Sequence, residues 1–358
     1  MSEVLRQPAE LTYADDLATL KASDHHPKPV GWVLSPQAVV TYIVGGTAGG
    51  RQIEPKYVGN RKIIETAVAT LATDRALLLM GIPGTAKSWV SEHMAAAISG
   101  DSTKIIQCTA GTDENQIRYG WNYAQLLAKG PSREALVPTP LLRAMEGGSI
   151  CRLEELTRMG SDVQDTLITV LSEKMLPIPE LNSAVYAQRG FNVIATANDR
   201  DKGVNELSAA LKRRFNVVVL PLPDDLEEEI KIVTRRVSET AQSLNLPEPK
   251  NVVEEVTRVL AIFRELRSGE TADGKVTIKS PSSSLSTAEA IAVMVSGFSH
   301  AAYFNNGILS ADGLAPNVLG AIVKDPVQDK AVLEEYLETV LKKRREYADY
   351  YTTLTELI

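Results

Sequence analysis

The segment ALLLMGIPGTAKS, residues 76–88, indicates the fold class. Its first five residues form a short apolar run, which is typical of a buried strand. The pattern KSWVSEHMAAAIS, residues 87–99, predicts a helix that begins directly after the loop. A strand, a glycine-containing loop and a helix opened by Lys-Ser together predict a phosphate-binding loop, in which backbone N–H groups surround phosphates.

The phosphate loop is predicted to bind ATP through seven residues: Gly81, Pro83, Gly84, Thr85, Ala86, Lys87 and Ser88. Lys87 should reach the β and γ phosphates, and Ser88 should offer its hydroxyl to Mg²⁺. Ala86 stands where the usual pattern has glycine, and alanine is tolerated there if its φ is negative. The alternative is a tight strand–helix turn that carries a lysine, and the agreement of strand, loop, Lys-Ser and helix argues against it.

A second motif, ICRLEEL at residues 150–156, places two carboxylates at the end of a short strand. Glu154 is predicted to hold Mg²⁺ through water, and Glu155 to orient or deprotonate the attacking water. The first acid is usually aspartate, and glutamate is one methylene longer. Arg152 in a mostly buried strand is costly unless it is paired, so we expect it to reach an acid at the sheet edge or on an adjoining subunit. The alternatives are a solvated charged turn and a site that binds ATP but hydrolyses it slowly or not at all.

Strands and helices alternate from residue 61 to residue 222, which predicts a parallel sheet covered on both faces. After Pro223 the pattern is helical almost to the end. We therefore predict an α/β fold in three parts: an arm with a short helix (residues 1–56), a nucleotide-binding domain (57–222) and a helical lid domain (223–358). The polar stretch 268–284 should be a loop within the lid.

Bulk composition bears on three classes of function: nucleic-acid binding, membrane-spanning and secreted proteins. The chain has 358 residues, 44% hydrophobic and 23% charged, with a net charge of −7, which argues weakly against nucleic acid as the main partner. No apolar run is long enough to span a membrane, and the N-terminus lacks the apolar core of a signal peptide. Cys108 and Cys151 lie in apolar runs and should be buried thiols. These features favour the cytoplasm.

The motifs together resemble the AAA+ ATPases and, within them, the MoxR-type, helix-2-insert branch. The phosphate loop and CRLEEL match its two nucleotide motifs, and FNVIATAND, residues 191–199, resembles its sensor strand. This resemblance implies a sheet of order 5-1-4-3-2 and places Asn198 where the family orients the attacking water. LSAALKRRF resembles the segment that ends in an arginine finger, so Arg214, or failing that Arg213, should complete the site of a neighbouring subunit.

The resemblance also implies two insertions that project toward a central pore, at about residues 110–140 and 176–190. The second, LPIPELNSAVYAQRG, should be a hairpin with its turn at ELNS. Tyr119, Trp121 and Tyr123 cluster at the first insertion. They either grip a substrate or partner, or anchor the insertion to the core, and the second interpretation is favoured.

The lid departs from the family pattern. Relatives carry an arginine at the start of a lid helix, and the comparable stretch here, SSSLSTAEAIAV at residues 282–293, has Ser286 or Thr287 at that place. The second sensor is therefore missing or replaced by Lys279.

The resemblance implies an ATPase that works as a ring or spiral, a hexamer, in chaperone-like remodelling or maturation of a protein client. A von Willebrand factor A domain protein is the implied partner. Two alternatives stay open: a nucleotide-gated scaffold with weak or no hydrolysis, and a nucleic-acid-directed AAA+ motor.

Overall fold

The structure is a computed structural model that describes residues 4–198 and 205–358. Residues 1–3 of the predicted arm and Asp199 of the predicted sensor segment lie outside the described residues. The chain divides into two compact units. The first comprises the residues up to Gly81 together with Ala86–Leu220, and the second comprises Ile82–Thr85 together with Pro221–Ile358. Among the described helices, none combines the length and the apolar character needed to cross a membrane.

The first unit opens with an arm of three helices and a small hairpin: α1 (Ala9–Thr12), α2 (Ala14–Ser23), α3 (Pro36–Val44), β1 (Gly46–Ala48) and β2 (Arg51–Ile53). The hydroxyl of Ser35 caps α3, and Pro36 occupies the first turn, where its missing N–H costs nothing. Gly45 ends the helix with a φ of 83°. The glycine-rich residues that follow α3 therefore both stop the helix and form the hairpin.

Helices and strands alternate through the rest of this unit. In chain order they are α4 (Arg61–Leu71), β3 (Ala76–Gly81), α5 (Lys87–Ser99), β4 (Ile105–Gln107), α6 (Glu114–Ile117), β5 (Tyr119–Trp121), α7 (Tyr123–Lys129), β6 (Leu136–Pro138), α8 (Pro140–Gly147), β7 (Ile150–Glu154), α9 (Ser161–Glu173), β8 (Met175–Ile178), β9 (Ser183–Tyr186), β10 (Asn192–Asn198), α10 (Ala209–Lys212) and β11 (Phe215–Val219).

Five of these strands form one parallel sheet in the order β11-β3-β10-β7-β4. This is the predicted order 5-1-4-3-2, so the predicted fold class is confirmed. Asn198, the last residue of β10, pairs with Gly81, the last residue of β3. On the other side of β10, strand β7 ends at Glu154. The carboxyl ends of β3, β10 and β7 therefore meet at one edge, which is where open α/β sheets bind ligands.

The two faces of the sheet are buried in two separate cores, because successive strand residues point to opposite sides. Leu78 and Leu153 belong to one core, which also contains residues of α8 and α9. Leu77 and Ile150 belong to the other, together with residues of α5 and the arm. The predicted buried thiols fit this arrangement: Cys108 and Cys151 are free and buried, and burial raises the pKa of Cys108 to about 12. Because Ile150 belongs to the core that contains residues of α5, the even-numbered residues of β7 face α5.

Both insertions contain antiparallel pairs. Strands β5 and β6 pair across α7, and β8 pairs with β9 around a short helical turn over Pro179–Leu181. Asn182, within the predicted turn ELNS, has a φ of 45°, a conformation that asparagine tolerates better than most residues.

The second unit is helical: α11 (Leu226–Ser243), α12 (Val252–Ser268), α13 (Thr287–Phe304), α14 (Ala311–Ile322), α15 (Gln328–Thr339) and α16 (Ala348–Leu357). These helices enclose one hydrophobic core that includes Phe263, Phe298 and Tyr336. Residues 268–284 form the predicted loop, with a single antiparallel bridge between Glu270 and Thr277.

Candidate nucleotide-binding site

The phosphate loop turns sharply between β3 and α5. Gly81 and Gly84 have φ values of 152° and 82°, which glycine adopts without a steric penalty. Ala86 has a φ of 64°, so the expectation that alanine is accommodated there with a negative φ is wrong. The left-handed conformation brings the Cβ of alanine close to the following carbonyl oxygen, and this strain costs about 1–2 kcal/mol.

Lys87 begins α5 and is buried, with its ammonium group donating to the carbonyl oxygen of Gly81 at 2.9 Å. The free N–H groups and the dipole of the first turn of a helix favour an anion at this place. In the loop itself, Thr85 Oγ1 donates to the carbonyl oxygen of Ile82 at 3.0 Å. The loop thus presents a cation and a helix N-terminus to the same space.

Glu154 ends β7 and is 2% exposed, yet four polar groups surround its carboxylate. Oε2 accepts hydrogen bonds from Ser88 Oγ at 2.6 Å and Thr196 Oγ1 at 2.7 Å. Oε1 accepts from Ser91 Oγ at 2.5 Å and Arg152 Nη2 at 2.9 Å. Burial raises the pKa of Glu154, but the Arg152 charge and the three hydroxyl donors outweigh it, so the pKa is lower than usual.

From the sequence, Arg152 was expected to pair with an acid at the sheet edge or on an adjoining subunit, and the structure pairs it with the acid that ends its own strand. Its partner is Glu154, two residues along the same strand and on the same face. A period of two explains the pairing, because residues i and i+2 of a strand point to the same side. The buried charge is therefore compensated within the site, as a buried ion pair requires.

Glu155 lies just beyond β7 in a different environment. Its φ is 61°, and its N–H donates to Thr196 Oγ1 at 3.0 Å. Its carboxylate accepts from Asn198 Nδ2 at 3.2 Å and from Arg158 Nε at 2.8 Å. The side chain of Glu155 is 31% exposed, whereas that of Glu154 is 3% exposed. The two neighbouring acids thus differ in solvent access and in partners.

The side chain of Arg214, the predicted arginine finger, makes its hydrogen bonds outside the predicted site. Its guanidinium donates to Ser172 Oγ at 2.8 Å and to the carbonyl oxygen of Ala210 at 2.6 Å. Within residues 4–198 and 205–358, none of its hydrogen bonds goes to another predicted site residue. Arg213, the alternative finger, is exposed.

Three residues of the site were missed by the sequence analysis: Ser91, Arg158 and Thr196. Ser91 lies one helical turn after Ser88, and this i, i+3 spacing could have indicated a second hydroxyl on the same face of α5. Thr196 precedes Asn198 by two residues on β10, so the strand period places both on one face. Arg158 carried no such signal, because its contact with Glu155 depends on the turn after β7.

The aromatic cluster separates into three environments. Tyr119 is buried and donates to Glu180 Oε2 at 2.8 Å, and its ring packs edge-on against Trp121 with centroids 5.9 Å apart. Trp121 is partly buried against the same core. Tyr123 is 71% exposed. Tyr119 therefore anchors the insertion, and Tyr123 alone among the three faces solvent.

In the second unit, the predicted place of the second sensor contributes no arginine. A Cβ added to Gly84 would lie 2.1 Å from Ser286 Oγ, so only glycine fits there. Thr287 Oγ1 donates to the fully buried Glu229 at 2.8 Å. Two arginines of α12, Arg264 and Arg267, bind the same carboxylate at 2.9 and 3.2 Å, which neutralises its charge. Lys279 is largely exposed, 3.8 Å from Glu335.

The residues present fit a nucleotide with Mg²⁺. Ser88 Oγ and Glu154 Oε2 lie 2.6 Å apart, and hydroxyl and carboxylate oxygens are the ligands that Mg²⁺ prefers. Lys87 supplies the positive charge at the start of α5, next to the turn that would surround the phosphates.

Comparisons with known proteins identify the family of the chain. Residues 76–215 match the family described as AAA domain (dynein-related subfamily), and residues 227–357 match the YehL-like AAA+ ATPase C-terminal domain. The YehL protein of Escherichia coli (strain K12) is 43% identical over 347 residues, which cover 95% of this chain and 94% of that protein. A protein of Staphylococcus haemolyticus (strain JCSC1435) is 25% identical over 168 residues, covering 46% of this chain and 63% of the relative.

Among solved structures, NtrX from Brucella abortus in complex with ATP superimposes with a TM-score of 0.51 at 14% identity, covering 82% of this chain. The chain spans 63% of that protein's length, and the likeness concerns the fold. The chain belongs to the AAA+ ATPases of the YehL-like family, and the MoxR-type AAA+ ATPase predicted from the motifs is confirmed.

Proposed function

We propose that the protein hydrolyses ATP with Mg²⁺ between the subunits of a ring or spiral, a hexamer, and uses this to remodel or mature a protein client. One observation carries the proposal: the carboxyl ends of β3, β7 and β10 bring together the phosphate loop, the two acids and Asn198 at one edge of the sheet. A nucleotide-hydrolysing site needs a cation, a metal-binding acid, a base and a group that orients water.

The roles follow from the separate environments. Lys87 would bind the β and γ phosphates, and Ser88 and Glu154 would hold Mg²⁺, which would neutralise charge on the phosphates. Glu155 accepts a proton from the attacking water, and Asn198, whose amide already contacts its carboxylate, orients that water. The partial exposure of Glu155 leaves its carboxylate open to water, whereas the oxygens of Glu154 are enclosed.

Arg214 acts in trans in this proposal. Among the described residues, its guanidinium bonds to Ser172 and Ala210 and to none of the phosphate loop, so a finger role requires a neighbouring subunit. This requirement is the physical reason for proposing a closed ring or a spiral.

The client contact is proposed for the first insertion. Helix α7 has no buried residue, and it exposes Tyr123 and Leu127, 71% and 88% exposed. Large exposed apolar side chains one helical turn apart suit contact with an unfolded segment of a protein. A protein with a von Willebrand factor A domain is the proposed partner, and the cytoplasm the proposed compartment.

A nucleotide-gated scaffold is the second candidate. The observation that favours it is the ion pair between Glu155 and Arg158, 2.8 Å, because the guanidinium occupies a carboxylate oxygen that would otherwise accept from the attacking water. In this case ATP would bind and order the assembly with little turnover.

The test is phosphate release by the purified protein with ATP and Mg²⁺. We expect turnover in the wild type, loss of ATP binding in Lys87→Ala, and no change in Lys62→Ala, an exposed lysine of α4 that serves as the matched control. Tight ATP binding without phosphate release would favour the scaffold. ATP binding by Lys87→Ala equal to wild type in calorimetry would reject the site itself.

Assembly and client are tested with a Glu155→Gln variant held in the ATP-bound form. Native mass spectrometry should show a hexamer with ATP, and a monomer under the same conditions would reject the ring. Capture from lysate with this variant, and with Lys87→Ala as the nucleotide-free control, should enrich a client in the ATP-bound form only.

A further inference from the structure

The strand that carries the acids has an arginine on its functional face. Arg152 and Glu154 both point toward α5, and each is at most 5% exposed. An apolar side chain at position 152 would need no partner of its own, whereas a buried guanidinium must be desolvated and paired. The arginine therefore calls for an explanation beyond filling the core.

The guanidinium of Arg152 has four acceptors. It donates to Glu154 Oε1 at 2.9 Å, to Ser91 Oγ at 3.0 Å, and to the carbonyl oxygens of Ser88 and Ser102 at 3.1 and 3.2 Å. These bonds fix its position between α5 and β7. Its planar fork can hold several acceptors at once, which a lysine cannot do.

These contacts give the two carboxylate oxygens of Glu154 different partners. Oε1 accepts from Arg152 and Ser91, whereas Oε2 accepts from Thr196 and from Ser88, the proposed second Mg²⁺ ligand. A glutamate side chain has one more rotatable bond than aspartate, so it needs an additional restraint to present one defined oxygen.

We propose that Arg152 is a positioning residue, which holds Oε1 of Glu154 so that Oε2 alone is presented beside the Ser88 hydroxyl for Mg²⁺. The inference rests on the proposed function, because it concerns the same site. Loss of Arg152 should therefore weaken Mg²⁺ binding and leave nucleotide binding without Mg²⁺ unchanged. The reason is that none of its four hydrogen bonds involves the loop between Gly81 and Lys87.

The alternative is that Arg152 only ties α5 to its neighbours, because two of its acceptors are backbone carbonyl groups. A purely structural role would lower the melting temperature and leave the Mg²⁺ dependence of nucleotide binding unchanged. The two roles are therefore separable by a readout that does not depend on turnover.

The experiment measures binding of a fluorescent ATP analogue as Mg²⁺ is titrated, for the wild type, Arg152→Gln and Arg152→Lys. Arg152→Gln should raise the Mg²⁺ concentration for half-maximal enhancement by about 10-fold, the usual effect of losing a partner of a metal ligand. Its affinity for the analogue without Mg²⁺ should equal that of the wild type. In a Glu154→Gln background, the same substitution should have no further effect on the Mg²⁺ requirement.

An unchanged or lower Mg²⁺ requirement in folded Arg152→Gln would overturn the inference while the proposed function stands. Failure of the wild type to bind the analogue at any Mg²⁺ concentration would overturn both. If Arg152→Gln does not fold, as a thermal melt would show, Arg152→Lys decides. It retains the charge without the fork, so a raised Mg²⁺ requirement supports the inference and a wild-type value overturns it.

Discussion

The side-chain amide of Asn198 donates to Oε2 of Glu155 at 3.2 Å, across the ends of the adjacent strands β10 and β7. Glu155 reaches this position because its backbone is left-handed, with a φ of 61°, which turns it out of the strand after Glu154. Strained conformations of this kind cost about 1–3 kcal/mol and cluster at functional sites. The left-handed backbone and the contact with Asn198 place the side chain of Glu155 in a different environment from that of buried Glu154.

The two acids should differ in what their amide variants lose. Glu155→Gln should keep ATP binding and lose turnover by a factor on the order of 10² or more, because the proposed proton acceptor is removed. Glu154→Gln should instead raise the Mg²⁺ requirement, because it removes the carboxylate charge beside Ser88. The measurement is phosphate release together with calorimetric ATP binding over a range of Mg²⁺ concentrations.

Glu154→Asp is the matched control for this pair, since it retains the carboxylate and should be tolerated. If Glu154→Gln proves to bind ATP at the wild-type Mg²⁺ requirement without hydrolysing it, while Glu155→Gln turns over, the two roles are reversed.

Ala86→Gly should stabilise the protein. Glycine adopts the left-handed conformation observed at this position without strain, and the gain should be about 1 kcal/mol in the free energy of unfolding. The measurement is a urea unfolding curve. The control is Ala69→Gly, at an exposed position within α4, where the same substitution should cost about 1 kcal/mol. A loss of stability in Ala86→Gly would contradict the strain assigned to this residue.

Arg214→Ala should bind ATP normally and hydrolyse it poorly, because in the proposed ring Arg214 completes the site of a neighbouring subunit. Mixed with Lys87→Ala protein, it should recover part of its activity, since a Lys87→Ala subunit still offers Arg214 to an intact phosphate loop. The measurement is phosphate release as a function of the mixing ratio. Arg213→Ala, an exposed neighbour, is the control and should remain active; the opposite pattern would transfer the role to Arg213.

Alanine substitutions of the two tyrosines in the first insertion should have different effects on stability and client capture. Tyr119→Ala should lower stability by about 3–5 kcal/mol, the usual range for truncating a large buried aromatic residue. Tyr123→Ala should leave the thermal melt and basal ATP turnover unchanged, because the ring is exposed, and should weaken client capture by the ATP-bound form. Both variants are compared with the wild type by thermal melt and capture assay. Equal loss of stability in the two variants would contradict the assignment of Tyr119 as a buried anchor and Tyr123 as an exposed contact residue.

Much of this site follows from local sequence. The apolar run before GIPGTAKS, the Lys-Ser pair and the helical pattern after it predict a strand, loop and helix without tertiary information, because backbone conformation and burial period are local properties. The same applies at the start of α3, where Ser35 as the cap and Pro36 in the first turn are residue types typical of a helix N-terminus. The order of the sheet came from the family resemblance and is confirmed by the strand pairing.

The class of fold and the identity of the groups at the strand ends follow from consecutive residues, because strand period, loop glycines and charged residues are local features of the sequence. The environment of each of those groups depends on tertiary packing. That packing gave Ala86 a positive φ, since the loop must close between β3 and α5. It paired Arg152 with Glu154, because α5 covers that face of β7 and excludes water from both charges. It also brought Asn198 to Glu155, a contact between residues on adjacent strands that no local pattern specifies.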